Sequence, residues 1–381
     1  MPGETVKARA KKLLPSASSG GPLIDRVTVS AYEIPTEQPE SDGTLAWEAT
    51  TLVLVEVAAG ERQGLGFTYA HQAAATLIHS QLAPLVQGQD ALAVPNSWAR
   101  MIHAIRNLGR PGICATAISA VDTALWDLKA RLLEVPLVSL LGSMWDKVPV
   151  YGSGGFTSYT RPKLQEQLGG WVEQGITRVK MKIGRHAAED LARVQAAREA
   201  IGPEAELFVD ANGGYSRKQA LGMAERMREY GVTWFEEPVS SDDLTGLRLL
   251  RDRAPGAMEI TAGEYGYDPP YFRRMLAAGA VDVLQADLTR CLGISGFLQV
   301  GALCDAWLMP LSAHTAPALH LHPACSLRRM RHLEYFFDHV RIEQMLFDGA
   351  LTPVDGFLAP DLTRLGLGLE FKHADAAAYA L

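Results

Sequence analysis

From Val148 onward the sequence keeps a rhythm that few architectures satisfy. Short apolar segments alternate with amphipathic ones. Strands are predicted at 148–152, 178–183, 206–210, 233–236, 258–262, 281–286, 307–311 and 332–335, with helices such as 187–200 and 217–230 between them. Strand–helix alternation specifies a parallel sheet, and eight strands in about 190 residues specify closure into a compact (β/α)8-type barrel. The span is short for that barrel, so a last helix that is missing or short is expected. The predicted strands end on, or just before, Lys182, Asp210, Glu236, Glu264, Asp287, His314 and Glu334, at steps of 20 to 28 residues. In one barrel these groups share the C-terminal rim, where barrel enzymes place their chemistry.

The preceding region has a different grammar. Alternating segments at 26–32, 51–57 and 64–68 read as strands, with a polar loop from Pro35 to Gly43. Ile118, Val121, Leu125, Leu128 and Leu132 then form one apolar helical stripe. The chain therefore divides into a flexible tail at 1–21, an α+β domain at 22–147, a barrel at 148–351 and a segment at 352–381 that packs back on the first domain. With 48% hydrophobic and 21% charged residues in 381, wholesale disorder is excluded. Acids outnumber Lys and Arg by 43 to 36, a net charge of −7, which opposes nucleic-acid binding and adhesion to acidic membranes. The four cysteines form no C-x-x-C pair, as expected of reduced thiols in a cytoplasmic protein.

Asp210, Glu236 and Glu264 end three consecutive strands. Converging there, three carboxylates would repel and protonate unless a cation joined them. All-oxygen ligation with room for water and substrate favours Mg²⁺ over Zn²⁺. Each acid could instead cap a helix, but three in adjacent units favour the metal. Glu237, one position on, is expected to support the site or face outward. Lys180 and Lys182 share one strand face, and an amine near a divalent cation can become a competent base. Asp287 and His314 end adjacent strands, where the carboxylate would fix the imidazole tautomer and raise its basicity. His320 and His322 are expected to be structural.

These residues are similar to a family pattern. Lys180-Met-Lys182, Asp210-Ala-Asn212, Glu236-Glu-Pro238, Gly263-Glu264, Asp287 with Arg290, and His314 resemble, in order and spacing, the mandelate racemase-like group of the enolase superfamily, also called the mandelate racemase/muconate lactonizing enzyme family. The helix around Asp122–Lys129, Pro136 and Leu140-Leu-Gly142 resembles the end of that family's capping domain. The resemblance implies an α/β fold, a modified TIM barrel (β/α)7β under an N-terminal α+β capping domain that the C-terminal segment completes. It implies Mg²⁺ held by Asp210, Glu236 and Glu264, with Lys182 and His314–Asp287 as acid/base groups on opposite substrate faces. It also implies Lys180 near the substrate carboxylate, Glu334 as a protonated hydrogen-bond donor to the enolate, and Ser153 as a carboxylate contact. Muconate-lactonizing relatives carry a lysine where this chain has Asp287, which directs the resemblance to racemases and acid-sugar dehydratases. Homo-oligomers are common in the family.

The implied chemistry is abstraction of a proton α to a carboxylate. Dehydration of an acid sugar to a 2-keto-3-deoxy acid leads, with racemisation or epimerisation of a 2-hydroxy acid as the alternative. A non-catalytic barrel that binds a sugar acid is the remote one. Phe67, Tyr69 and His71 of the first domain would contact the substrate's far end, or pack the domain interface.

Overall fold

The computed structural model describes residues 17–381. Most of the expected tail, residues 1–16, lies outside the described residues. Gly21 already donates its backbone N–H to Asp90 at 3.2 Å.

Three strands, β1 (Arg26–Ser41), β2 (Ala46–Ala59) and β3 (Arg62–Tyr69), form an antiparallel meander. Their alternation serves two cores at once. Val53, Val55 and Val57 face the helix Ile113–Leu132, while Leu52 and Leu54 face the barrel and C-terminal segment. Both sets are essentially unexposed, each side chain contributing about 1.5–3 kcal/mol. Helix and sheet come close because β3 carries Gly64 and Gly66. A Cβ at Gly64 would sit 2.3 Å from the Leu128 nitrogen, and one at Gly66 would sit 2.4 Å from the Ala120 oxygen.

The barrel strands are β4 (Val148–Gly154), β5 (Arg178–Lys182), β6 (Glu206–Asp210), β7 (Val232–Glu236), β8 (Glu259–Ala262), β9 (Val283–Ala286), β10 (Leu311–Ala313) and β11 (Met330–Phe336). All pair in parallel in chain order, and β11 pairs back to β4 to close the ring. Past the barrel, Phe357–Leu358 pairs antiparallel with the start of β4, Phe371 stacks on Tyr32, and the Leu381 N–H bonds to the Ala31 carbonyl.

Three elements differ from the expectation. The eighth strand is followed by the ten-residue helix Phe337–Leu346, as long as Leu244–Arg253, rather than by a missing or short one. The seventh barrel strand begins at Leu311, after the apolar run at 307–310 rather than within it. The helix Gly293–Ala306 ends at Trp307, and Leu308 takes a left-handed φ of 56°. Leu308 is 70% exposed, so its hydropathy marks a turn. Likewise, Pro35–Ser41 continues β1 past an irregularity between Pro35 and Glu40, so only 42–45 is a turn. Glu40 and Ser41 are buried there, which polarity alone does not reveal. No helix among the described residues is long and apolar enough to cross a membrane.

Candidate active site

Side chains along a strand alternate between inside and outside. On β5 this directs both Lys180 and Lys182 into the barrel. Asp210 and Glu236 stand at the ends of β6 and β7, and Glu264 follows β8. Oxygen atoms of these three acids lie within 4.8 Å of one another, and all three are buried. Burial, and then the neighbouring Asp210, push the Glu236 carboxyl up to about 8. That is the repulsion a hard cation relieves, so the donor set fits Mg²⁺.

Lys182 Nζ lies 2.5 Å from Asp210 Oδ2. Burial alone would lower its pKa; the Asp210 carboxylate outweighs it and holds the amine protonated. Across the barrel, His314 Nδ1 is 2.9 Å from Asp287 Oδ2, and the other Asp287 oxygen accepts the Thr289 N–H. His314 Nε2 then points to Glu264, 3.1 Å away. Burial depresses this imidazole, but Glu264 and Glu334 overcome it and raise it to about 9. The triad therefore lies between an amine on one side and an oriented imidazole on the other.

Lys180 lies deeper and is fully buried. Its Nζ contacts Glu236 at 2.6 Å, Glu334 at 2.8 Å and Asp210 at 3.5 Å. Glu334 departs from its expected neutral state. Its oxygens receive Lys180, the Ser153 hydroxyl at 2.6 Å and the Thr315 N–H at 3.0 Å. Burial would raise its pKa, yet Lys180 and His314 reverse the sign, and the group is a carboxylate that accepts. Ser153 is fully buried and serves Glu334. Neither it nor Lys180 borders the cavity.

That cavity, about 470 Å³, opens between cap and barrel. Lys182, Glu264, Asp287 and His314 border it on the barrel side, and Tyr69 and His71 on the cap side. Phe67 does not. It is fully buried with its ring 4.7 Å from Phe347, because it points from β3 into the inner core. The cavity also reaches residues that the sequence did not single out as site residues: Asp42, Trp47, Asn212, Tyr265 and His339. Asn212 had a signal, two positions after a strand-end acid. His339, stacked on Tyr69 at 3.5 Å, had none. Arg290, noted only within a motif, sits 3.5 Å from both Asp287 and Glu264.

Glu237 is also placed differently from an outward residue. It is buried, with φ at 38°, because the chain turns left-handed directly after β7. Burial, followed by Glu264, raises its carboxyl well above the ordinary range. His320 and His322 are satisfied core residues, each accepting a backbone N–H, from Leu288 and Val138.

The fold and rim define a barrel enzyme with an acid triad between a lysine and a histidine. Residues 26–142 match the mandelate racemase/muconate lactonizing enzyme N-terminal domain, and residues 163–376 match the enolase C-terminal domain-like family. The chain belongs to the mandelate racemase-like group of the enolase superfamily. It is 55% identical to a mandelate racemase/muconate lactonizing enzyme-like protein from Rubrobacter xylanophilus, with a TM-score of 0.93 over 94% of this chain and 100% of that one. A racemase from Streptomyces coelicolor with bound magnesium is 30% identical, with a TM-score of 0.89 over 94% of this chain and all of the other. The L-talarate/galactarate dehydratase of Salmonella typhimurium is 30% identical over 90% of this chain and 87% of its own.

Proposed function

We propose that this protein is a Mg²⁺-dependent enzyme that removes the proton α to a carboxylate and dehydrates an acid sugar to a 2-keto-3-deoxy acid. The observation that carries this reading is the placement of Lys182 and His314 on strands across the barrel, with the acid triad on the arc between them. Asp210, Glu236 and Glu264 would hold Mg²⁺, which supplies positive charge against the enediolate as it develops. The dehydratase relative and the magnesium-bound racemase support the chemistry.

With a cation on Asp210 that carboxylate would no longer hold the amine protonated, so Lys182 Nζ gives its proton to water in the cavity it borders and serves as base toward one face of Cα. His314 Nε2, aligned by Asp287 through Nδ1, delivers a proton to the departing β-hydroxyl on the other side, which leaves as water. Lys180 holds Glu236 and Glu334 in place and supplies fixed positive charge beneath the substrate carboxylate. Ser153 steadies Glu334. Racemisation of a 2-hydroxy acid is the second reading, because two groups on opposite faces also permit return of the proton to the far side.

An acid-sugar panel with Mg²⁺, assayed by semicarbazide for keto acid and by ¹H NMR in D₂O for α-exchange, separates the two. Keto acid is expected. Inversion without keto acid refutes dehydration, and no exchange with any acid refutes both. On the same reading, 22–147 with 352–381 act as a cap over the 148–351 barrel, and the enzyme is a cytoplasmic homo-oligomer. Four buried free thiols support that compartment, and light scattering tests the assembly.

A further inference from the structure

The cap side of the cavity carries a charge pattern that narrows the substrate class, given the α-proton reading above. The cations on its wall are already engaged. Lys182 is bound to Asp210, and Arg290 lies between Asp287 and Glu264, with its Nη1 also on the Glu264 carbonyl at 3.1 Å. Nor does His339 supply charge there. His339 is stacked on Tyr69, and burial lowers it to about 3. His71 spends its Nδ1 on the Ala73 N–H at 3.1 Å.

In place of a cation, the cap presents an acid. Asp42 borders the cavity and is only 8% exposed. Its Oδ1 receives the backbone N–H groups of Thr44 at 2.6 Å and Leu45 at 2.7 Å. No described residue donates to its Oδ2, which is left to accept from a ligand. The side chain is held in register because the Asp42 carbonyl takes the Thr157 hydroxyl at 2.8 Å and the Arg185 guanidinium at 3.3 Å. Beside it, Trp47 gives its indole N–H to Glu40 at 3.0 Å, so it offers the cavity only carbon.

A second carboxylate brought to this side would lose its hydration and meet Asp42, while among the described residues Lys182 and Arg290 are paired with acids and Arg185 is engaged by the Asp42 and Leu45 carbonyls. A hydroxyl would find an acceptor, and C–H groups would find the Trp47 ring. We infer that the substrate is a sugar acid with a single carboxylate, and that Asp42 is the specificity residue which takes up a hydroxyl on the cap side and turns dicarboxylates away.

The test pairs each aldonate with the aldarate of matching configuration and reads α-proton exchange in D₂O and kcat/KM, for the wild type and for Asp42→Asn. The asparagine Oδ1 can still accept the Thr44 and Leu45 N–H groups, and circular dichroism checks that the fold is kept. The wild type should favour an aldonate over its aldarate by at least about 100-fold. Asp42→Asn should shrink that ratio by about tenfold or more through KM, because it removes the repelling charge. Equal use of both acids by the wild type, exchange confined to aldarates, or an unchanged ratio in the variant overturns the inference alone. Absence of exchange with every acid overturns the α-proton reading, and this inference with it.

Discussion

Closure of the cap over the site depends on one residue without a side chain. Gly43 lies where a Cβ would stand 2.2 Å from the Ala211 oxygen and 2.8 Å from the Ile183 oxygen. Those two backbones directly follow the strands that carry Asp210 and Lys182, so the cap turn rests on the catalytic rim. Alanine at 43 must retreat by about 1 Å to reach an ordinary contact. Three of the turn's ties are Thr157 Oγ1 to the Asp42 carbonyl at 2.8 Å, Arg185 to the same carbonyl at 3.3 Å, and Arg185 to the Leu45 carbonyl at 2.9 Å. A shift of that size takes all three beyond bonding range. At about 1 kcal/mol each, the closed turn loses about 2–4 kcal/mol, or roughly 30- to 1000-fold in its closed population. Gly43→Ala should therefore raise KM by at least about 30-fold and lower kcat/KM by about 100-fold. The melting temperature should fall by no more than about 5 °C, because the cores beneath are untouched. Steady-state dehydration with Mg²⁺, with scanning fluorimetry alongside, measures both. Wild-type KM in a folded Gly43→Ala enzyme would refute the closure argument, and so would a loss explained wholly by unfolding.

Lys182→Ala and His314→Asn should each cut dehydration by about 10²–10⁴-fold; full turnover in both, measured by keto-acid release, contradicts the two-group assignment. Phe67→Ala should cost about 3–5 kcal/mol in chemical denaturation with kcat nearly unchanged, because Phe67 fills the inner core and does not border the cavity. The fully buried Glu343 carboxyl is raised by burial to about 8, with Oε2 accepting the Ala318 N–H at 3.2 Å. A raised carboxyl binds its proton more tightly when folded, so its contribution to stability is full below about pH 4.5 and is lost as pH rises through about 8. Glu343→Gln should therefore gain stability over wild type between pH 6 and 9, by up to a few kcal/mol in urea titrations; a difference that does not change with pH would contradict this.

The barrel was legible because burial on both faces leaves apolar runs at regular spacing, and because acids, amines and an imidazole at strand ends interrupt those runs. The triad, the two lysines and the Asp287–His314 pair follow from that spacing once the ring closes. What stayed hidden depended on contacts made across the fold. Leu308 is apolar yet turns in solvent, while Glu40 is charged yet buried. The charge of Glu334 is set by Lys180 and then His314, which come from other parts of the barrel, so no local pattern announces it. The inward burial of Glu237 follows from a left-handed turn that strand alternation does not foresee. Phe67 and Tyr69 sit two apart and share a face of β3, yet only Tyr69 reaches the cavity.

Lys180, wedged among Glu236, Glu334 and Asp210 with no exposure to water, gives the acids beneath the rim a resident counter-ion. The scaffold can therefore be assembled before any divalent ion arrives. Chelation should silence the enzyme and leave its architecture standing, and returning magnesium should restore it in a single binding event with no refolding. A magnesium-starved cell would hold finished molecules in reserve.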